Sequence, residues 1–137
     1  SHGQTSRMVR NALEGAARRL ERPRCEGLVD QFADVEGRPL RASLAKVGAD
    51  GPSYLSLLIF YDGSRHPRCR GGGIFAAAER GGRIVWICPE PFVRLAWSDP
   101  GTAEVVVIHE ALHSLGLGEN PPTSDEITGR VRAACLR

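Results

Sequence analysis

The sequence predicts an α+β protein with one domain, a small mixed or antiparallel sheet and a helix at its C-terminal end. Three observations predict this class. The chain has 137 residues, enough for one hydrophobic core but too few for two ordinary domains. Apolar residues recur at helical spacing towards both ends, whereas short apolar runs separated by glycine-rich turns fill the middle. The composition, 42% hydrophobic and 25% charged, is that of a globular protein.

The first third of the chain is predicted to be helical. Residues 1–4 are expected to be a disordered or cloning-derived terminus. An amphipathic helix is predicted over 5–22, capped by a hydroxyl residue and closed by a proline. A short helical turn at 28–32 and a second helix over 37–47 follow.

The middle of the chain is predicted to form the sheet. The run over 54–61 is too apolar for a strand with one exposed face, so we expect it to be the central strand. A hairpin is predicted from 73–78 and 83–88, joined by the turn at 79–82. The segment 89–97 is predicted to be a loop or a short helical piece.

Two helices are predicted to complete the fold. Asp99 or Ser98 can cap the first, with Pro100 at its first position, and it should end near Gly116. Thr123 and Glu126 form a capping-box pattern at the start of the last helix. Its predicted inner face contains Ile127, Val131, Ala134 and Cys135.

The charge pattern excludes two classes of partner. The net charge is +2, from 18 basic and 16 acidic side chains, and no long block of one sign occurs. We therefore expect neither a nucleic-acid partner nor a membrane surface, and we expect a monomer.

The four cysteines are Cys25, Cys69, Cys88 and Cys135, and no two of them form a C-x-x-C pair. An even number in a small chain favours two disulfides and an oxidising compartment, which predicts a secreted or periplasmic protein. Three connectivities are possible. We favour Cys69–Cys88 with Cys25–Cys135; the alternative is four buried free thiols in a cytosolic protein.

The stretch His109-Glu110-Ala111-Leu112-His113 has the form H-E-x-x-H and follows the apolar run 105–108. On a helix, residues four apart share one face, so both imidazoles can reach one metal ion. Glu110 lies where its carboxylate can reach a water on that ion. This is the pattern of a zinc hydrolase.

A catalytic zinc site needs a third protein ligand. Gly116 can end the helix in a left-handed conformation and turn the chain back, which would bring Glu119 towards the metal. Glu126 is the alternative third ligand, although the capping box accounts for it without a metal.

The segment 109–119 resembles the H-E-x-x-H-x-x-G-x-x-H/D motif of the metzincin branch of the zincin metallopeptidases, with Glu119 at the third-ligand position. It is also similar to the snapalysin type of metzincin, which is very small, secreted by bacteria and has a carboxylate third ligand. Two features depart from the family. The only methionine, Met8, lies upstream of the motif rather than in a turn beneath the metal, and Glu119 stands where the motif has His or Asp. The resemblance implies a zincin-like domain over 1–137.

The implied activity is hydrolysis of peptide bonds with Zn²⁺ bound by His109, His113 and Glu119, and with Glu110 as general base. The donor that stabilises the developing oxyanion must come from elsewhere in the chain. The candidates for that donor are Tyr61, His66, Tyr54 and Arg130.

A peptide or protein substrate is expected to lie along a sheet-edge strand, for which 71–78 is the candidate. Trp86 and Trp97 are candidates for a pocket wall. Two alternative functions stay open. One is a metal-dependent amidase that acts on cell-wall peptides. The other is a non-catalytic, disulfide-stapled binding module whose metal site is structural or vestigial.

Overall fold

The computed structural model describes residues 2–137 and has an α+β architecture. The helices are α1 (His2–Leu20), α2 (Pro23–Glu26), α3 (Leu28–Gln31), α4 (Leu40–Lys46), α5 (Gly51–Tyr54), α6 (Pro67–Arg70), α7 (Pro89–Ser98), α8 (Pro100–Ser114) and α9 (Ser124–Cys135). A 3₁₀ turn covers Leu55–Leu57. The strands are β1 (Ile59–Asp62), β2 (Ala76–Ala78) and β3 (Ile84–Ile87).

The three strands form one small mixed sheet in the order β1-β3-β2. β3 pairs in parallel with β1 and antiparallel with β2, and Trp86 lies opposite both Tyr61 and Ala77. The predicted hairpin is therefore present as β2 and β3, with shorter strands than expected. The predicted fold class, α+β with a small sheet and a C-terminal helix, is confirmed.

The prediction of a central strand over 54–61 is wrong. Residues 51–57 are helical, and the strand that follows, β1, lies at an edge of the sheet. The reason is local, since Asp50 and Ser53 form a capping box. The Ser53 N–H donates to Asp50 Oδ1 over 2.9 Å, and the Asp50 N–H donates to Ser53 Oγ over 3.1 Å. These bonds start a helical turn that overrides the strand preference of the apolar run.

One helix begins earlier than the sequence predicts, and another segment adopts one of the two structures predicted for it. α1 begins at His2 rather than near residue 5, so Gly3 and Gln4, expected to be disordered, are helical. The segment after β3, for which a loop was one of two predictions, is a ten-residue helix, α7.

The hydrophobic core surrounds α8. This helix packs against α1, α7, α9 and β2. Val105, Ile108 and Leu112 are buried, as expected for a helix that is apolar on most of its faces. The H-E-x-x-H segment therefore lies on a helix fixed from several sides.

Both favoured disulfides are present. Cys25 of α2 bonds Cys135 at the end of α9, and Cys69 of α6 bonds Cys88, which follows β3. Disulfides of this kind persist in oxidising environments. None of the described helices combines the length and the apolar character that crossing a membrane requires.

Candidate metal centre

The ends of α8 are fixed as the sequence predicts. Asp99 caps the first turn, accepting hydrogen bonds from the Thr102 N–H (3.2 Å) and from the Thr102 hydroxyl (2.6 Å). Gly116 has φ +124°, and the Leu117 N–H donates to the Leu112 carbonyl over 3.1 Å. The chain therefore reverses after α8 and returns Glu119 to the side of His113.

Three ligand-type side chains converge at this point. The Nε2 atoms of His109 and His113 are 3.1 Å apart, and His113 Nε2 lies 3.3 Å from Glu119 Oε1. All three ligand atoms lie within 4.8 Å of one another. Two ligands at ordinary zinc bond lengths and a tetrahedral angle are about 3.3 Å apart. The group could therefore hold one metal ion.

Hydrogen bonds from the rear of each imidazole aim Nε2 at the shared position. His113 Nδ1 lies 2.8 Å from the Leu117 carbonyl oxygen. Because a carbonyl can only accept, Nδ1 carries the proton and Nε2 keeps its lone pair for a metal. His109 Nδ1 lies 2.9 Å from Thr128 Oγ1 of α9. Burial lowers the pKa of His109 to about 4, so its ring is neutral near pH 7 and available as a ligand.

Glu110 is buried beside this group. The Ala78 N–H of β2 donates to Glu110 Oε1 over 3.0 Å. Burial raises the pKa of Glu110 to about 7, opposed by the Ala78 hydrogen bond and by the positive charge of Arg68. Oε2 accepts no hydrogen bond from the described residues. Every fully buried polar side-chain atom of these residues has a hydrogen-bond partner, so Oε2 is not fully buried. Oε2 is therefore reached by solvent, where it can exchange a proton with a water.

A cleft of about 260 Å³ opens over these side chains. Its walls are parts of α8, of the start of α9 and of the segment that leads into β2. Its lining residues include Arg68, Gly73, Ile74, Phe75, Ala76, His109, Glu110, His113, Glu119, Asp125 and Thr128.

Arg68 is the one arginine or lysine among the residues lining this cleft. Its charge is close enough to act on both His109 and Glu110, while its guanidinium makes no hydrogen bond or ion pair with the described residues. The short helix α6 carries it. The Arg68 N–H donates to His66 Nδ1 over 3.2 Å, and the Cys69–Cys88 bond fixes α6 to the end of β3. Sequence reasoning missed Arg68 because Arg65 and Arg70 beside it make the segment resemble an ordinary solvated surface.

The residues predicted to act as oxyanion donors are not brought to the cleft. Tyr61 and His66 both pack against Trp86, with ring centroids 5.3 Å and 5.2 Å from the indole. The Tyr54 hydroxyl lies 2.8 Å from Ser114 Oγ, a residue outside the cleft lining. Since Ser114 Oγ itself donates to the Ala111 carbonyl, it accepts from Tyr54.

Arg130 and the proposed tryptophan pocket lie elsewhere as well. The Arg130 guanidinium stacks 4.2 Å from the centroid of the Phe32 ring and donates to Gln31. Trp97 is 66% exposed, and neither it nor Trp86 lines the cleft. The sheet pairing and local packing hold these side chains away from the candidate metal ligands.

Glu126, the alternative third ligand, belongs to the cap of α9. Its N–H donates to Thr123 Oγ1 over 3.1 Å, and the Thr123 hydroxyl donates to Glu126 Oε1 over 3.2 Å. Among the described residues, the histidine and carboxylate side chains grouped closely enough for a metal are those of His109, His113 and Glu119. The structure therefore favours Glu119.

The predicted substrate edge over 71–78 is shorter than expected. β2 covers only Ala76–Ala78, and its Ala78 N–H is already used by Glu110. Residues 73–76 line the cleft. The backbone that borders the cleft is therefore the segment that leads into β2.

No protein-family model, no curated protein and no solved structure matches this chain. The resemblance to metzincins thus rests on residues 109–119 alone.

Proposed function

We propose that this protein is a zinc-dependent peptidase that works in an oxidising compartment, as a secreted or periplasmic protein. His109, His113 and Glu119 would hold the metal, and Glu110 would act as general base. One observation carries the proposal: three converging ligand atoms and a buried carboxylate border the same cleft.

The donor set supports zinc. Two imidazole nitrogens and one carboxylate oxygen suit this ion, and three protein ligands are the number used at catalytic sites, where one position is kept for water. When bound, zinc polarises a carbonyl oxygen and lowers the pKa of a water molecule towards 7.

The chain's own residues account for the proton transfers. Glu110 accepts the proton of the attacking water at Oε2 and delivers it to the amine that leaves when the C–N bond breaks. The Ala78 N–H holds the carboxylate through Oε1 and so keeps Oε2 turned to the cleft. Burial raises the pKa of Glu110 above its ordinary value of 4.5, which makes its carboxylate a stronger base than that of an exposed glutamate.

Arg68 supplies the donor that the tyrosine and histidine candidates do not. Its unpaired guanidinium can donate to the substrate carbonyl oxygen as negative charge develops there. The peptide itself would lie along 73–76, where Gly73, with φ +81°, leaves room for a second backbone.

Digestion of a peptide library tests the proposal. The zinc-loaded protein is expected to release fragments detectable by mass spectrometry. Chelation should stop the release, and added zinc should restore it. A protein that binds no zinc, or one whose fragment release is unaffected by chelation, would rule out a metallopeptidase. Zinc-dependent cleavage of cell-wall peptides, with no cleavage of the library, would favour the amidase alternative.

The Arg68 assignment has its own test. Arg68→Gln is expected to lower kcat about 10²-fold on peptides with blocked and with free carboxyl termini alike. Zinc affinity should stay unchanged, and Arg70→Gln, the matched control on α6, should keep wild-type rates. A loss confined to free-carboxyl peptides, with a raised KM, would assign Arg68 to carboxylate recognition instead.

A further inference from the structure

A second cavity, of about 460 Å³, is larger than the metal cleft and lies next to it in sequence and in space. Residues 114–116, which directly follow His113, form part of its wall, and the loop between β2 and β3 forms another part. Its size is that of ordinary ligand cavities, about 300–1,000 Å³. The proposed peptidase mechanism makes no use of it.

Positive charge dominates this cavity. Lys46, Arg80 and Arg83 line it, and their charged groups make no hydrogen bond or ion pair with the described residues. The one carboxylate in the lining, Asp34, is already engaged. It accepts hydrogen bonds from the Arg38 side chain over 3.0 Å and from the Arg38 N–H over 2.9 Å. It therefore leaves the other three cations without a counter-charge.

The cavity also has an apolar part. Val35 and Val47 line it and are 65% and 49% exposed. Exposed aliphatic side chains beside unpaired cations fit a ligand that carries both carboxylates and aliphatic groups. The three cations come from two separate segments, α4 and the β2–β3 loop, so carboxylates that follow one another along a chain could each pair with a different cation.

We propose that this cavity, lined by Lys46, Arg80, Arg83, Val35 and Val47, binds an acidic stretch of a polypeptide. Carboxylates would pair with the three cations, and intervening aliphatic side chains would cover the valines.

The position of Arg80 relates this cavity to the metal centre. Its Nη1 lies 3.7 Å from where a Cβ atom would sit on Gly118, the residue before Glu119. The wall of the cavity therefore borders the segment that carries Glu119. The binding itself does not depend on the peptidase proposal, because it needs neither the metal nor hydrolysis.

The test measures binding to the metal-free full chain. A fluorescent peptide that alternates glutamate with leucine is titrated by anisotropy, beside a peptide with glutamine in place of glutamate. Arg80→Gln/Arg83→Gln should weaken the acidic peptide roughly tenfold, and Lys46→Gln should weaken it by less. Arg7→Gln/Arg94→Gln removes the same charge from exposed positions outside the cavity and should leave the affinity unchanged.

The other outcomes overturn the proposal. Equal losses in the two double variants would mean that general charge, not this cavity, attracts the peptide. Equal binding of the glutamine peptide would exclude carboxylate recognition. A third outcome is that the acidic peptide does not bind, whereas inorganic phosphate binds the wild type and binds Arg80→Gln/Arg83→Gln more weakly. That outcome would assign the cavity to a small anion.

Discussion

The two disulfides are expected to have separable effects on stability and on activity. Cys25–Cys135 joins α2 to α9, far along the chain, whereas Cys69–Cys88 closes a short loop and fixes the helix that carries Arg68. Replacing each cysteine pair by alanine tests whether the position of Arg68 at the cleft depends on the Cys69–Cys88 bond.

The sizes of the two stability losses follow from the loops that the bonds close. The sequence separations are 110 and 19 residues. Loop-closure entropy in the unfolded chain then gives about 4.8 kcal/mol for Cys25–Cys135 and about 3.2 kcal/mol for Cys69–Cys88 at 25 °C. The long-range pair should thus stabilise the fold by about 1.6 kcal/mol more than the short-range pair.

Urea unfolding under non-reducing conditions measures the free energy of unfolding of each variant. Peptide hydrolysis by the folded protein measures its kcat. Cys25→Ala/Cys135→Ala should lower the free energy of unfolding more and keep the wild-type kcat. Cys69→Ala/Cys88→Ala should lower it less but reduce kcat towards the value of Arg68→Gln. The reverse ranking of stabilities, or a wild-type kcat without Cys69–Cys88, would refute the reasoning.

Three further outcomes concern the ligands and the surface ion pairs. Glu119→Gln should weaken zinc binding more than about 100-fold in a chelator competition titration, since even indirect partners of ligands contribute about 10- to 100-fold; Glu126→Gln should leave it unchanged, and the reverse result would move the third ligand to α9. Thr128→Val removes the partner of His109 Nδ1 and should cost about 10- to 100-fold in the same titration; an unchanged affinity would mean that packing alone orients the ring. Hydrogen bonds from Arg41 hold the pKa of Glu26 below its ordinary value of 4.5, so their stabilisation is complete above pH 4.5 and is lost as the pH falls through the lowered pKa. Arg41→Gln should therefore lower the free energy of urea unfolding by about 0.5–1 kcal/mol at neutral pH and by less in acid; a difference that does not shrink in acid would contradict this origin.

Helix α8 was predictable because its signals are local. Asp99 caps it, an apolar run fills it and Gly116 ends it, and each of these acts within a few residues. The turn at Gly116 also made it predictable that Glu119 would lie beside His113. Local chemistry was equally decisive where the prediction was wrong, because the Asp50 capping box turned the expected strand into a helix.

The remaining parts of the site depend on long-range contacts that the sequence does not reveal. Tyr61 and His66 are drawn to Trp86 because β1 pairs in parallel with β3, a pairing that no local pattern encodes. Arg68 reaches the cleft because a disulfide holds α6 against the end of β3. The contact of Glu110 with Ala78 likewise joins two elements 32 residues apart.

The most direct test of the account is the rate of peptide cleavage by zinc-loaded Glu110→Gln. This change keeps the size of the side chain and leaves His109, His113 and Glu119 in place, so one zinc per chain should still bind. Cleavage should nevertheless fall by at least about 10²-fold, because glutamine cannot accept the proton of the attacking water. A zinc-loaded Glu110→Gln variant that cleaves peptides at the wild-type rate would contradict the account.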